Sequence, residues 1–182
     1  MSDTQWPRFF VFKKDSHDEP HLNCGTVHAP DVELALQNAR DVFVRRPECV
    51  SLWVVPAGKV VAKTAEELER EPPEPAHTDA SVEPYAVFLK KSHSAQHAYA
   101  GEVEAATPTE ALAEALDAWG ESGPLAYWVV PKRVIHVSSQ DDQDSWFEPA
   151  REKHYRQSSF YHTERLIREI KAEQKRGKGV EA

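Results

Sequence analysis

The stretch "SLWVVP", Ser51 to Pro56, returns as "AYWVVP", Ala126 to Pro131, with Trp53 and Trp128 in the same place in each run. Working outward from these two runs, one register links long stretches of the chain on either side. Upstream, Val11, Phe12, Lys14, Ser16 and His17 correspond to Val87, Phe88, Lys90, Ser92 and His93. His21, Gly25, Val27 and Ala29 correspond to His97, Gly101, Val103 and Ala105, and Ala35, Leu36, Ala39 and Asp41 to Ala111, Leu112, Ala115 and Asp117. One residue is lost before the Trp-Val-Val-Pro runs meet. A register held over so many positions is the mark of an internal repeat, so the chain reads as two copies of one unit.

Each copy has the order strand, turn, strand, helix, strand. "RFFVFKK" and "PYAVFLKK" are rich in aromatic and branched residues, and polar turns lead from them into "HLNCGTVHA" and "HAYAGEVEA", which predicts a hairpin. In the first copy Asp31 can cap a helix whose apolar face is Val32, Ala35, Leu36, Ala39, Val42 and Phe43. In the second, Thr107, Pro108 and Glu110 form a start signal, Leu112, Ala115, Leu116 and Trp119 an apolar stripe, and Gly120 with Gly123-Pro124 a stop. A sheet of three strands with one helix leaves a face bare, which a unit of this size cannot sustain in water. The predicted fold is therefore α+β: two tandem β-β-α-β units whose antiparallel sheets pack as a pseudo-dimer, plus a C-terminal helix. Residues 1–64 form the first unit. Residues 65–82 are a Pro/Glu-rich linker that allows a short helical turn at Ala65 to Glu69, and residues 83–182 hold the second unit, the tail and the last helix. That helix starts near Thr163 and carries Leu166, Ile167 and Ile170 as a narrow stripe, which could dock on its own sheet or on another subunit.

Composition narrows the function. A net charge of -8 and a pI near 5.6 over 182 residues argue against nucleic-acid binding, which needs a cationic face. The first fifteen residues hold no apolar run long enough for a secretory signal or a membrane span, so the expected location is cytoplasmic. Cys24 and Cys49 are expected to be reduced thiols with no zinc or iron–sulfur spacing, and Cys49 has no local context for a nucleophile. His17/His21 and His93/His97 repeat one gap, but in a turn, where that gap does not preorganise metal ligands. Glu74 to His77 is the sole Glu-x-x-His, and it falls in the linker. Nucleophile elbows, P-loops and dinucleotide fingerprints are missing from the sequence. No catalytic residue, metal site or cofactor is expected. Trp53 and Trp128 are expected to face the core on one side and an interface on the other.

The stretches "WPRFFVF", "HLNCGTVHAPD", "ALQNARD", Arg45-Arg46 and "SLWVV", with "FEPAREKHYRQSSFY" at Phe147 to Tyr161, resemble the PaaB family of phenylacetyl-CoA epoxidase components. The chain departs from that family in length, having a second copy inserted before the tail. In that copy His28, Asn38, Arg40 and Arg45-Arg46 become Glu104, Glu114, Leu116 and Glu121-Ser122. Apolar positions survive and polar ones are lost, as when a core is kept and only one copy recognises partners. The resemblance implies a non-catalytic bridging subunit in aerobic phenylacetate degradation, without a cofactor of its own. Its implied partners are a catalytic di-iron subunit and a helical companion subunit, with the reductase as a further candidate and self-association left open. Candidate contact residues are Asn38, Arg40, Arg45 and Arg46 on the first copy and Tyr155, Arg156, Phe160 and Tyr161 in the tail. The alternative is an independent α+β ligand-binding protein or enzyme that uses a cleft between the copies, lined by His21, His28 and His97.

Overall fold

The computed structural model describes residues 6–44, 49–73, 81–139, 145–147 and 163–177. The first unit runs β1 (Arg8–Lys14), β2 (Leu22–His28), α1 (Val32–Phe43) and β3 (Ser51–Pro56). After a single 3-10 turn at Ala57–Lys59, the chain forms β4 (Val61–Thr64) and α2 (Ala65–Arg70). The second unit repeats the order as β5 (Glu83–Lys90), β6 (Ala98–Ala105), α3 (Pro108–Trp119) and β7 (Ala126–Pro131), followed by a 3-10 turn at Lys132–Val134 and β8 (His136–Val137). A last helix, α4, spans Thr163–Gly177. No helix among the described residues is long and apolar enough to cross a membrane.

All strand pairs are antiparallel and form one eight-stranded sheet in the order β4-β7-β5-β6-β2-β1-β3-β8. The α+β antiparallel fold is thus as the sequence predicts. The two halves, expected as separate sheets, are joined edge to edge where Leu22 faces Ala98. The Asn23 amide donates to the His97 carbonyl at 2.8 Å and the Tyr99 amide to the His21 carbonyl at 2.9 Å.

The outer face of each half is covered by its own helix. Phe9, Val11, Leu52 and Val54 meet Ala35 and Ala39 of α1, while Tyr85, Val87, Leu89, Tyr127 and Val129 meet Ala111, Leu112 and Ala115 of α3. Because side chains alternate along a strand, the neighbouring residues point the other way. Phe12 and Val55 from one half and Ala86, Phe88 and Val130 from the other form a third buried cluster, so the inner faces are packed on one another.

Two details tie sequence to geometry. Both hairpins carry a bulge, between Val11 and Phe12 in one and Val87 and Phe88 in the other. Gly25 and Gly101 sit there at φ of 140° and 156°, which favours glycine. A Cβ on Gly25 would lie 2.9 Å from Phe43 Cζ, and one on Gly101 3.0 Å from Trp119 Cζ2, so each helix presses its last ring onto a bare backbone. The second detail is the path of the chain after β3 and β7. β4 pairs with β7 along four residues and α2 buries Leu68 in the core of the second unit. In return β8 pairs with β3, Ser138 exchanges hydrogen bonds with Leu52, and Phe147 is buried in the core of the first unit. Each unit closes the open edge of the other.

The segment 65–82, read as a linker, therefore begins with a helix. Thr64 and Glu67 form a reciprocal capping box, which the sequence shows as "TAEE". The stretch after Pro131, read as irregular, opens with a strand.

Candidate functional site

The interior shared by the two halves is lined with rings. Phe12 stacks on Phe88 with centroids 4.1 Å apart, and Phe10 lies 4.6 Å from Trp128. Trp53 meets Tyr99 edge-on at 5.2 Å. These rings come from β1, β3, β5, β6 and β7, and their inward aim follows from the alternation that sends Val11 and Val54 outward.

His21 and His97 stand at the junction of β2 and β6 and stack on Trp53 and Trp128, at 3.6 and 3.7 Å. Burial, with a smaller contribution from Lys14 or Lys90, lowers each ring from 6.5 to about 4, so both are neutral at physiological pH. The histidines differ in one respect. His21 Nε2 is 3.0 Å from Ser51 Oγ. The second copy has Ala126 at that place, and among the described residues His97 Nε2 is buried with no hydrogen-bond partner.

A second asymmetry lies at the rim of the interior. Tyr99 Oη donates to Glu102 at 3.0 Å, Lys132 Nζ donates to Glu102 at 2.9 Å, and Arg133 lies 2.8 Å from Glu83. The Lys132 contact, first, and that of Tyr99 hold the Glu102 carboxyl below its ordinary range, and burial drives the Tyr99 phenol up to about 12. The first copy has Asn23, Thr26, Ala57, Gly58 and Pro7 at the matching positions and can form none of these contacts.

Of the residues singled out from sequence, His21 and His97 are brought together, whereas His28 is exposed at the far end of β2 and His17 and His93 are exposed in the turns. Trp53 and Trp128 are half-buried on the face shared by the two copies. On α1, Asn38 Nδ2 donates to the His28 carbonyl at 3.1 Å, which fastens the helix to the end of β2. Arg40 is 39% exposed and lies 3.4 Å from Asp41. Arg45, Arg46, Tyr155, Arg156, Phe160 and Tyr161 lie outside the described residues, as do Glu74 and His77. Among the described residues no group of three or more His, Cys, Asp or Glu side chains could hold a metal ion. Cys24 points its thiol at the Val11 carbonyl, 3.5 Å away, and burial drives it up to about 12, far from a reactive thiolate. The ring-lined interior and the tail residues Leu68 and Phe147 were missed from sequence. The signal for the tails was present in the repeat itself, which continues past the two prolines with Val60 matched by Ile135.

Comparison with known proteins adds two findings. The family model Phenylacetic acid degradation B (PaaB) matches residues 5–78 and again residues 81–167, which fits a tandem duplication. The PaaB-type component of the 1,2-phenylacetyl-CoA epoxidase of Escherichia coli (strain K12) is 43% identical over 67 residues, covering 37% of this chain and 70% of that protein. No solved structure matches the chain.

Proposed function

We infer the role of this chain from one premise: it belongs to the Phenylacetic acid degradation B family. It is a PaaB subunit of phenylacetyl-CoA epoxidase, at work in phenylacetate degradation. Its role there is that of a non-catalytic accessory subunit, located in the cytoplasm, that bridges the catalytic di-iron subunit and its helical companion. The observation that carries this reading is the interior between the repeats. The space where a cleft enzyme would hold substrate is occupied by the Phe12–Phe88 stack and by the two His–Trp stacks, and its titratable rings are neutral and immobilised by packing. Such an interior joins two halves; it does not offer a general base at a wet surface.

Recognition then belongs to the outer surface of the first copy, where Arg40 is accessible and Arg45 and Arg46 follow in sequence, and to the tail from Tyr155 to Tyr161. Arginine suits acidic partner surfaces because its planar fork binds carboxylates bidentately. In the second copy the same positions hold Leu116 and Glu121-Ser122, so each chain presents one such face.

The experiment is reconstitution with the di-iron subunit, its companion and the reductase, read as phenylacetyl-CoA-dependent NADPH oxidation. Turnover is expected to need this chain, to fall at least tenfold with Arg40→Ala plus Arg45→Ala, and to survive His97→Gln. Full turnover in the arginine variant removes the proposed face. A collapse of turnover in a folded His97→Gln protein supports an active cleft instead.

A further inference from the structure

Two apolar stripes of the chain are left uncovered. On α4, Leu166, Ile167 and Ile170 are 53%, 50% and 53% exposed and lie on one side of the helix. On α1, Leu34 and Val42 are 40% and 55% exposed, two turns apart on the face opposite Ala35 and Ala39. Their charges are opposite. Residues 165–172 carry Arg165, Arg168 and Lys171 against Glu169, which is bound to Arg165 at 2.9 Å, whereas the chain as a whole is at -8. The α1 stripe is bordered by Asp31, Glu33 and Asp41 against Arg40. The corresponding face of α3 has Glu110, Glu114 and Ala118 in place of Leu34, Asn38 and Val42, so only α1 offers an apolar ridge.

We propose that α4 of one chain docks on α1 of a second copy, with Leu166, Ile167 and Ile170 against Leu34 and Val42, and Arg168 and Lys171 toward Glu33 and Asp41. One donor helix and one acceptor helix per chain make the contact reciprocal, and two such contacts close a two-fold dimer. The exchange removes both stripes from water, which is the driving force, and the charges set the orientation. Asn38 lies between Leu34 and Val42, so self-association and partner contact at Asn38 exclude one another. The dimer does not depend on the proposed role in the epoxidase, and its test contains no other protein.

Sedimentation of the full chain tests the proposal. The wild type is expected at twice 20.6 kDa, with dissociation favoured by high salt. Ile170→Glu and Val42→Lys are each expected to sediment at 20.6 kDa with unchanged far-UV circular dichroism, and their equimolar mixture to recover a heterodimer through the one undamaged contact. Should Val42→Lys fail to fold, Leu34→Lys probes the same ridge. A wild type that stays at 20.6 kDa overturns the proposal, as does a dimer that survives both substitutions. Pelleting of a monomeric wild type with anionic vesicles, lost in Ile170→Glu, also overturns it and assigns the stripe to a membrane surface.

Discussion

Ser51 and Ala126 occupy the same place in the two repeats, and only the serine gives its histidine a partner. A buried nitrogen without a hydrogen bond costs about 1–3 kcal/mol, so the second copy is the less settled one at this point. Ala126→Ser is expected to raise stability by about 1 kcal/mol and Ser51→Ala to lower it by a similar amount, read from urea midpoints. The stacked histidines also set a pH response. The unfolded chain protonates them near 6.5, whereas the folded chain keeps them neutral to about 4, so protons favour unfolding between those values. Stability is expected to fall as pH drops from 6.5 to about 4, with these two groups adding nothing above that window. Thermal melts across the range check this, and a variant with both rings replaced by Gln should show a flatter profile. At the two bulges, Gly25→Ala and Gly101→Ala are each expected to lose about 2 kcal/mol or more, because the backbone there disfavours a side chain and the ring above leaves no room for one.

Among the elements, the hairpins, α1 and α3 could be read from sequence because their signals are local. Asp31 and Thr107 cap the helices as predicted, each accepting the amide three residues on. The pairings of β4 with β7 and of β8 with β3 could not be read in the same way, because a strand of two to four residues has no periodicity and its partner lies in the other repeat. Leu68 and Phe147 looked like isolated apolar residues in charged surroundings, and only the tertiary path shows them closing cores. The candidate interface is legible in part: sequence identified exposed Arg40, but the hydrogen bond that makes Asn38 a fastener of α1 depends on where β2 ends. Phe147→Ala, which empties a site in the first core, is expected to cost about 3–5 kcal/mol by chemical denaturation.

For the whole molecule, the same strand is written twice because neither copy is complete. Each supplies half of the ring-lined interior and the strand that closes the other's edge, and fusion in one chain makes that association intramolecular. A duplicated pair is then free to diverge outside: one copy keeps Arg40 and an apolar ridge on its helix, while the other acquires the Glu102 and Glu83 ion pairs. The central claim is that the two copies fold as one cooperative unit. Hydrogen exchange of the full chain carrying Phe147→Ala, followed by mass spectrometry, tests it most directly, since the lesion lies in the first core and β5 and β7 report on the second. Cooperative folding predicts that amides of β1, β3, β5 and β7 all lose protection by a similar factor. Faster exchange confined to β1 and β3, with β5 and β7 unchanged, would contradict it.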